Sequence, residues 1–180
     1  MRPSKINIVK ALNEKLLEIH QLTNLIESKN STSISEFRNW LFDTEEILKK
    51  NNLPQVSQIA AIRAELVTYV PSARGKRKEQ YSFTARLLKQ AQHDIWETNA
   101  IFTQKTQQAR ELIQQLLNLV AQTKAFKLDK KTDFTHFLEG IWHFCNTHEQ
   151  LRSITLQVLS LLHKSDILLV MAEEIDLNDF

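Results

Sequence analysis

Two glycines and three prolines in 180 residues fall far below ordinary usage of about 7% and 5%. Sheets need many turns, and turns need glycine, proline, asparagine and aspartate. The scarcity therefore excludes turn-rich β architectures and a glycine-rich phosphate loop, and it leaves an all-helical chain. A single cysteine, Cys145, excludes an internal disulfide and with it a disulfide-stapled secreted scaffold. Long apolar runs are missing too. The longest, Ile167 to Ala172, is far short of the roughly 20 residues that span a bilayer. The first stretch, Met1 to Leu17, carries Lys5, Lys10, Glu14 and Lys15 and has no uninterrupted apolar core of the signal-peptide kind. These absences predict a cytoplasmic protein with no membrane partner.

What is present is one sustained helical pattern. Neither glycine nor proline occurs between Gly75 and Gly140. Inside that gap Tyr81, Thr84, Leu88, Ala91, Ile95, Thr98, Phe102, Ala109, Leu112, Leu116 and Leu119 follow a three-then-four spacing, broken only at Lys105. Such spacing puts every one of these residues on one stripe of a helix. A helix from Glu79 to Gln122 would extend about 65 Å at about 1.5 Å per residue, against about 40 Å for a compact domain of this length. The predicted fold is all-α: an elongated multi-helix bundle around one long central helix of about 45 residues.

The flanking segments read as shorter helices of a single helical domain over residues 1–172. In the N-terminal part, residues 1–70, a first helix from Lys5 to about Lys29 presents Val9, Leu12, Leu16, Ile19 and Ile26, with Leu17, Leu22 and Leu25 widening the face. Ser33 and Glu36 have capping-box spacing for a second helix that buries Phe37 and Leu41. Pro54 suits the first turn of a third helix, with Val56, Ile59, Ile62 and Leu66 inward. The long helix covers 79–126. Asp133 is placed to cap the first of the C-terminal helices, 133–172, which buries Phe134, Phe137, Leu138, Ile141 and Phe144. Thr147 with Gln150 offers another capping box, and Ser165 a cap for the last helix. Residues 173–180 form an acidic tail.

Charge is sorted along the chain although the net charge is only +2. Residues 71–131 carry twelve positive and five negative side chains, whereas residues 132–180 carry two positive and eight negative. Arg74, Lys76, Arg77 and Lys78 form the densest basic cluster, continued by Arg86 and Lys89. Several cations in one segment neutralise phosphates and give salt-dependent binding, so 74–89 is the candidate nucleic-acid-binding region. In the tail, Ile175, Leu177 and Phe180 stand among four carboxylates. They are candidate docking residues, for a partner's basic surface or for the chain's own positive middle segment.

Chemistry-bearing constellations are sparse. His143, Cys145 and His148, with His136 upstream, are zinc-type ligands, but no second pair accompanies them; His148 continues the apolar stripe and reads as a core histidine. Glu139 with His143, and His93 with Glu97, are one turn apart but lie on the outer faces of their helices. No metal and no cofactor is implied. Arg86 and His93 are separated by six residues. That spacing resembles the loose form of the arginine–histidine pair in HEPN-type ribonucleases. The resemblance implies that the two would polarise a ribose hydroxyl and the scissile phosphate at a dimer interface.

Together these features predict a non-catalytic accessory or scaffold subunit that associates with protein partners, or with itself, through the long helix, in a nucleic-acid-associated prokaryotic assembly. A basic helical module that binds RNA or DNA directly is the first alternative, and a HEPN-like ribonuclease the second.

Overall fold

The computed structural model describes residues 3–71, 76–127 and 133–180. Among them are seven α-helices and no strand: α1 (Lys5–Glu27), α2 (Ser33–Lys50), α3 (Val56–Thr68), α4 (Lys76–Thr123), α5 (Phe134–Thr147), α6 (Arg152–Leu161) and α7 (Lys164–Glu174), followed by a 3-10 turn, Leu177–Asp179. The long helix is continuous, 48 residues without a break at Lys105.

Helix ends reflect the shortage of glycine. A left-handed residue commonly terminates a helix, and glycine adopts that conformation at least cost. Here Lys29, Asn52 and Lys124 take it, with φ of 54°, 54° and 52°. Beyond Lys29 and Asn52 the six-residue return bond forms, from Asn30 N–H to Leu25 O and from Leu53 N–H to Leu48 O (both 2.9 Å). The Ser33–Glu36 capping box does not form. Asn30 Oδ1 takes the N–H of Thr32 at 2.9 Å, and Glu36 N–H already donates to Thr32 O, so Ser33 lies inside the helix and is buried. Thr147 likewise donates backwards, to His143 O at 3.0 Å. Ser165 sits within α7, whose N-cap is His163. The expected cap at Asp133 is present: its Oδ1 accepts from Thr135 N–H at 3.3 Å.

Contacts divide the chain into two compact units, residues 7–101 and residues 102–180 together with 1–6. In the first unit α2 lies against α3, and Trp40 donates from its indole N–H to Lys15 O at 3.1 Å, joining α2 to α1. Helices α1 and α4 are antiparallel here. Tyr81 Oη donates to Lys29 O (2.9 Å) at one end, and Asn99 Nδ2 donates to Asn13 Oδ1 (2.7 Å) towards the other. The core contains Leu12, Ile19, Phe37, Leu41, Leu48, Ile59, Ile62, Leu87 and Ile95. In the second unit Ile113, Leu117 and Val120 of α4 pack with Phe137, Ile141 and Cys145 of α5, Val158 of α6, and Ile167, Val170 and Met171 of α7. Phe126 stands edge-on to Phe137 and Phe144, closing this core.

Burial along α4 departs from the predicted stripe in a regular way. Its first half buries Thr84, Leu88, Ala91, Ile95 and Thr98, as the spacing predicts. In its second half the predicted Ala109 and Leu116 are buried as well, but Ile113, Leu117 and Val120, off the stripe, are buried beside them, while Leu112 and Leu119 are only partly so. The buried pairs Ala91 and Ala109, Ile95 and Ile113, and Asn99 and Leu117 recur at an interval of five full turns of about 3.6 residues each. A three-then-four pattern has period 3.5 and slips about 20° per heptad against that. Over five heptads the slip amounts to one residue.

Candidate functional site

Of the expected basic region, Arg74 lies outside the described residues. Lys76, Arg77 and Lys78 open α4, and all three are exposed, as is Lys89. Cations in the first turn oppose the positive end of the helix dipole; Glu79 is the acidic residue there. Close by, Tyr69 and Phe83 stack face to face, centroids 3.7 Å apart and planes at 10°. The Arg86 guanidinium lies over the Phe83 ring at 5.0 Å and pairs with Glu65 at 2.6 Å. Burial against this stack, with Glu79 beside it, raises the pKa of the Tyr69 phenol.

Arg86 and His93 are both exposed on α4, two turns and about 10.5 Å of rise apart. Arg86 is held by Glu65, and His93 Nε2 lies 3.3 Å from Glu97 Oε1. Glu139 and His143 also face solvent. His148 is half-buried against Phe144, ring centroids 5.0 Å apart. Among the described residues no group of three acids, histidines or cysteines could hold a metal ion. Cys145 is buried, and burial pushes its thiol up to about 11, so at neutral pH it carries essentially no thiolate, the nucleophilic form.

The acidic tail docks on its own chain, within the positive middle segment, at a residue that the sequence did not single out. Arg110 of α4 takes both Glu173, at 2.7 Å, and Glu174; Gln114 Nε2 also donates to Glu174. Hydrogen bonding to Glu173 leads the effects that hold the Arg110 guanidinium above its ordinary pKa. For Glu174, burial pushes upward, but the Gln114 and Arg110 hydrogen bonds outweigh it and lower the carboxyl. Ile175 and Phe180 pack on the second unit's core, Phe180 edge-on to Phe137 at 5.7 Å. Leu177 stays exposed. Its seat there is Arg110 rather than Lys76, Arg77 or Lys78.

Sequence reasoning missed one surface. Of the three tryptophans, Trp40 and Trp142 are 3% and 5% exposed, but Trp96 is 59% exposed. Leu17 of α1, expected on the inner face, is 77% exposed. The Asn13–Asn99 hydrogen bond closes the α1–α4 seam outside the buried Leu12, Ile19, Ile95 and Thr98. Leu17 lies one turn after Asn13, and Trp96 one turn before Asn99. Because the helices are antiparallel, both steps run the same way, and both turn outward from the buried faces. Leu17 and Trp96 therefore flank one seam at one level. The sequence signal was a tryptophan one position past Ile95 on the stripe; its consequence needed the partner helix.

Among the described residues no single helix is long and apolar enough to cross a membrane. The bent pair α6–α7, at 112°, has the combined length and apolarity, but Val158, Ile167, Val170 and Met171 are in the core. No protein-family model matches the chain, and no curated protein or solved structure matches it.

Proposed function

We propose that the chain is a non-catalytic scaffold subunit of a cytoplasmic assembly, and that it joins a protein partner through the α1–α4 seam. The observation that carries this reading is the exposed pair Leu17 and Trp96 beside the Asn13–Asn99 bond. An aromatic side chain buries about 150–250 Å² when covered, at about 25 cal/mol per Å². Tryptophan is also enriched among the few residues that dominate interface energetics. The flanking asparagines would give such a contact a polar rim. The test is a Leu17→Glu, Trp96→Glu double variant, beside a photo-crosslinking residue placed at position 96 in cells. Both positions are exposed, so the variant's thermal midpoint should stay close to the parent's. The crosslinker should capture a defined species, either a second copy or one partner protein, and Leu17→Glu in the same chain should abolish that capture. A crosslinker that captures nothing beyond a control at exposed Gln92 removes the seam from the argument.

A second reading, direct binding of nucleic acid, is favoured by the first turn of α4. Three exposed cations at a helix N-terminus cost about 0.3–1 kcal/mol each through the dipole, a cost that a bound polyanion would offset. Fluorescence anisotropy with a single-stranded RNA oligonucleotide tests it. Lys76→Glu, Arg77→Glu and Lys78→Glu together should weaken binding and flatten the salt dependence, since each phosphate contact contributes about 0.7 to the slope. An unchanged slope would discard this surface.

A further inference from the structure

We infer that the face of the second unit formed by Arg110, Gln114 and Phe137 is a peptide-docking groove, held closed by the chain's own tail and open to a partner protein's acidic segment. That segment would carry adjacent carboxylates followed by an apolar or aromatic residue. This surface is separate from the α1–α4 seam and does not depend on it.

The tail shows what chemistry the groove recognises. Arg110 faces two carboxylates at once, from Glu173 and Glu174. A guanidinium presents several donors in a rigid fork, so it reads paired carboxylates in a way a lysine cannot. Gln114, one turn on along α4, adds a neutral donor to the same Glu174. The apolar part of the groove is the edge of Phe137, taken by Phe180. The acid pair thus meets a guanidinium and an amide, and the aromatic end meets an aromatic ring.

The tail's fit is incomplete. Its backbone bonds are local: Ile175 N–H donates to Met171 O and Asp179 N–H to Asp176 O. Asp176 Oδ1 accepts from Asn178 N–H at 2.9 Å, folding the turn on itself. Between tail and helix remains a cavity of about 240 Å³, lined by Gln114, Leu117 and Asn118 on α4 and by Glu174, Asp176, Asp179 and Phe180 on the tail side. Leu177 is left 48% exposed. A tethered segment needs little intrinsic affinity, because its effective concentration is millimolar. A partner segment that filled the cavity and brought its own aromatic residue to Phe137 would therefore compete with it.

The experiment uses a fluorescein-labelled peptide of residues 173–180, read by anisotropy and by NMR shifts up to millimolar peptide. The receptors are the full chain and a chain ending at Ala172. Should truncation unfold the protein, the full-length variant Glu173→Gln, Glu174→Gln, Phe180→Ser replaces it, since that keeps α7 whole. The tail-free protein should bind the peptide at least tenfold more tightly than the full chain, with shifts at Arg110, Gln114 and Phe137. Arg110→Glu should remove that binding. A folded tail-free protein that shows no shifts at millimolar peptide overturns the proposal, as does equal binding by the full chain or binding that survives Arg110→Glu.

Discussion

The carboxyl group of Asp166 accepts a hydrogen bond from the backbone N–H of Lys5 at 2.8 Å, across 161 positions of sequence. Lys5 is the first residue of α1, so its N–H is one of the four donors a helix leaves unpaired at its start. Usually the residue just before the helix supplies the acceptor. Here it comes from the first turn of α7, and Lys5 returns a bond from its ammonium to Leu161 O at the end of α6. The residues that open the chain are thereby fastened to its last two long elements.

Asp166 is fully buried, which sets the first prediction. Asp166→Ala removes the buried acceptor of this bond, which should cost about 1–3 kcal/mol. Asp166→Asn keeps an acceptor of the same shape and should cost less. Denaturant unfolding measures both; an alanine variant as stable as the parent would show that the bond contributes nothing.

The one-residue slip along α4 can be read from two neighbours. Ile113→Ala removes a side chain that is 1% exposed and should cost about 2–5 kcal/mol. Leu112→Ala removes one that only flanks the core and should cost clearly less. The reverse order in chemical denaturation would restore the 3.5-residue stripe.

Gly140 stands where a helix needs no glycine, and Lys29 stands where a helix end would use one. A Cβ at Gly140, in mid-α5, would meet only Phe126, at 3.6 Å, an ordinary contact. Gly140→Ala should therefore stabilise by about 0.5–1 kcal/mol through backbone entropy. Lys29 holds a left-handed φ of 54°, so Lys29→Gly should also raise the thermal midpoint, by removing the roughly 1 kcal/mol steric penalty of a side chain there. A lowered midpoint in either variant contradicts the local geometry.

His136 and Asp133 form an exposed pair at 2.9 Å. The hydrogen bond to Asp133 raises the pKa of His136; the same bond, helped by the Thr135 N–H, lowers that of Asp133. The histidine's contribution is full below its unfolded value of about 6.5 and fades as pH rises through the raised folded value. The aspartate's is full above about 3.9 and fades as pH falls through the lowered one. The pair should thus act fully between about pH 4 and 6.5. In an NMR titration His136 should titrate above its ordinary value, and Asp133→Asn, which preserves the cap, should lower it.

Helix content and the continuity of α4 were written in local sequence. A missing glycine, a missing proline and a repeating apolar step each act within a turn or two, and no distant contact overrode them. The face α4 buries was legible in full only where the count began and in part beyond it, where Ala109 and Leu116 stay buried, because a 3.5-residue pattern and a 3.6-residue helix diverge with length. What tertiary structure alone decided are the pairings between distant residues. Leu17 looked like one more inner leucine until the Asn13–Asn99 bond fixed the position of α4. The tail's carboxylates suited any basic surface, and only the packing of α7 beside α4 chose Arg110 over the denser cluster at 76–78. Periodicity records which side of a helix turns inward. It does not record which helix waits there, because that depends on how several apolar faces are satisfied at once.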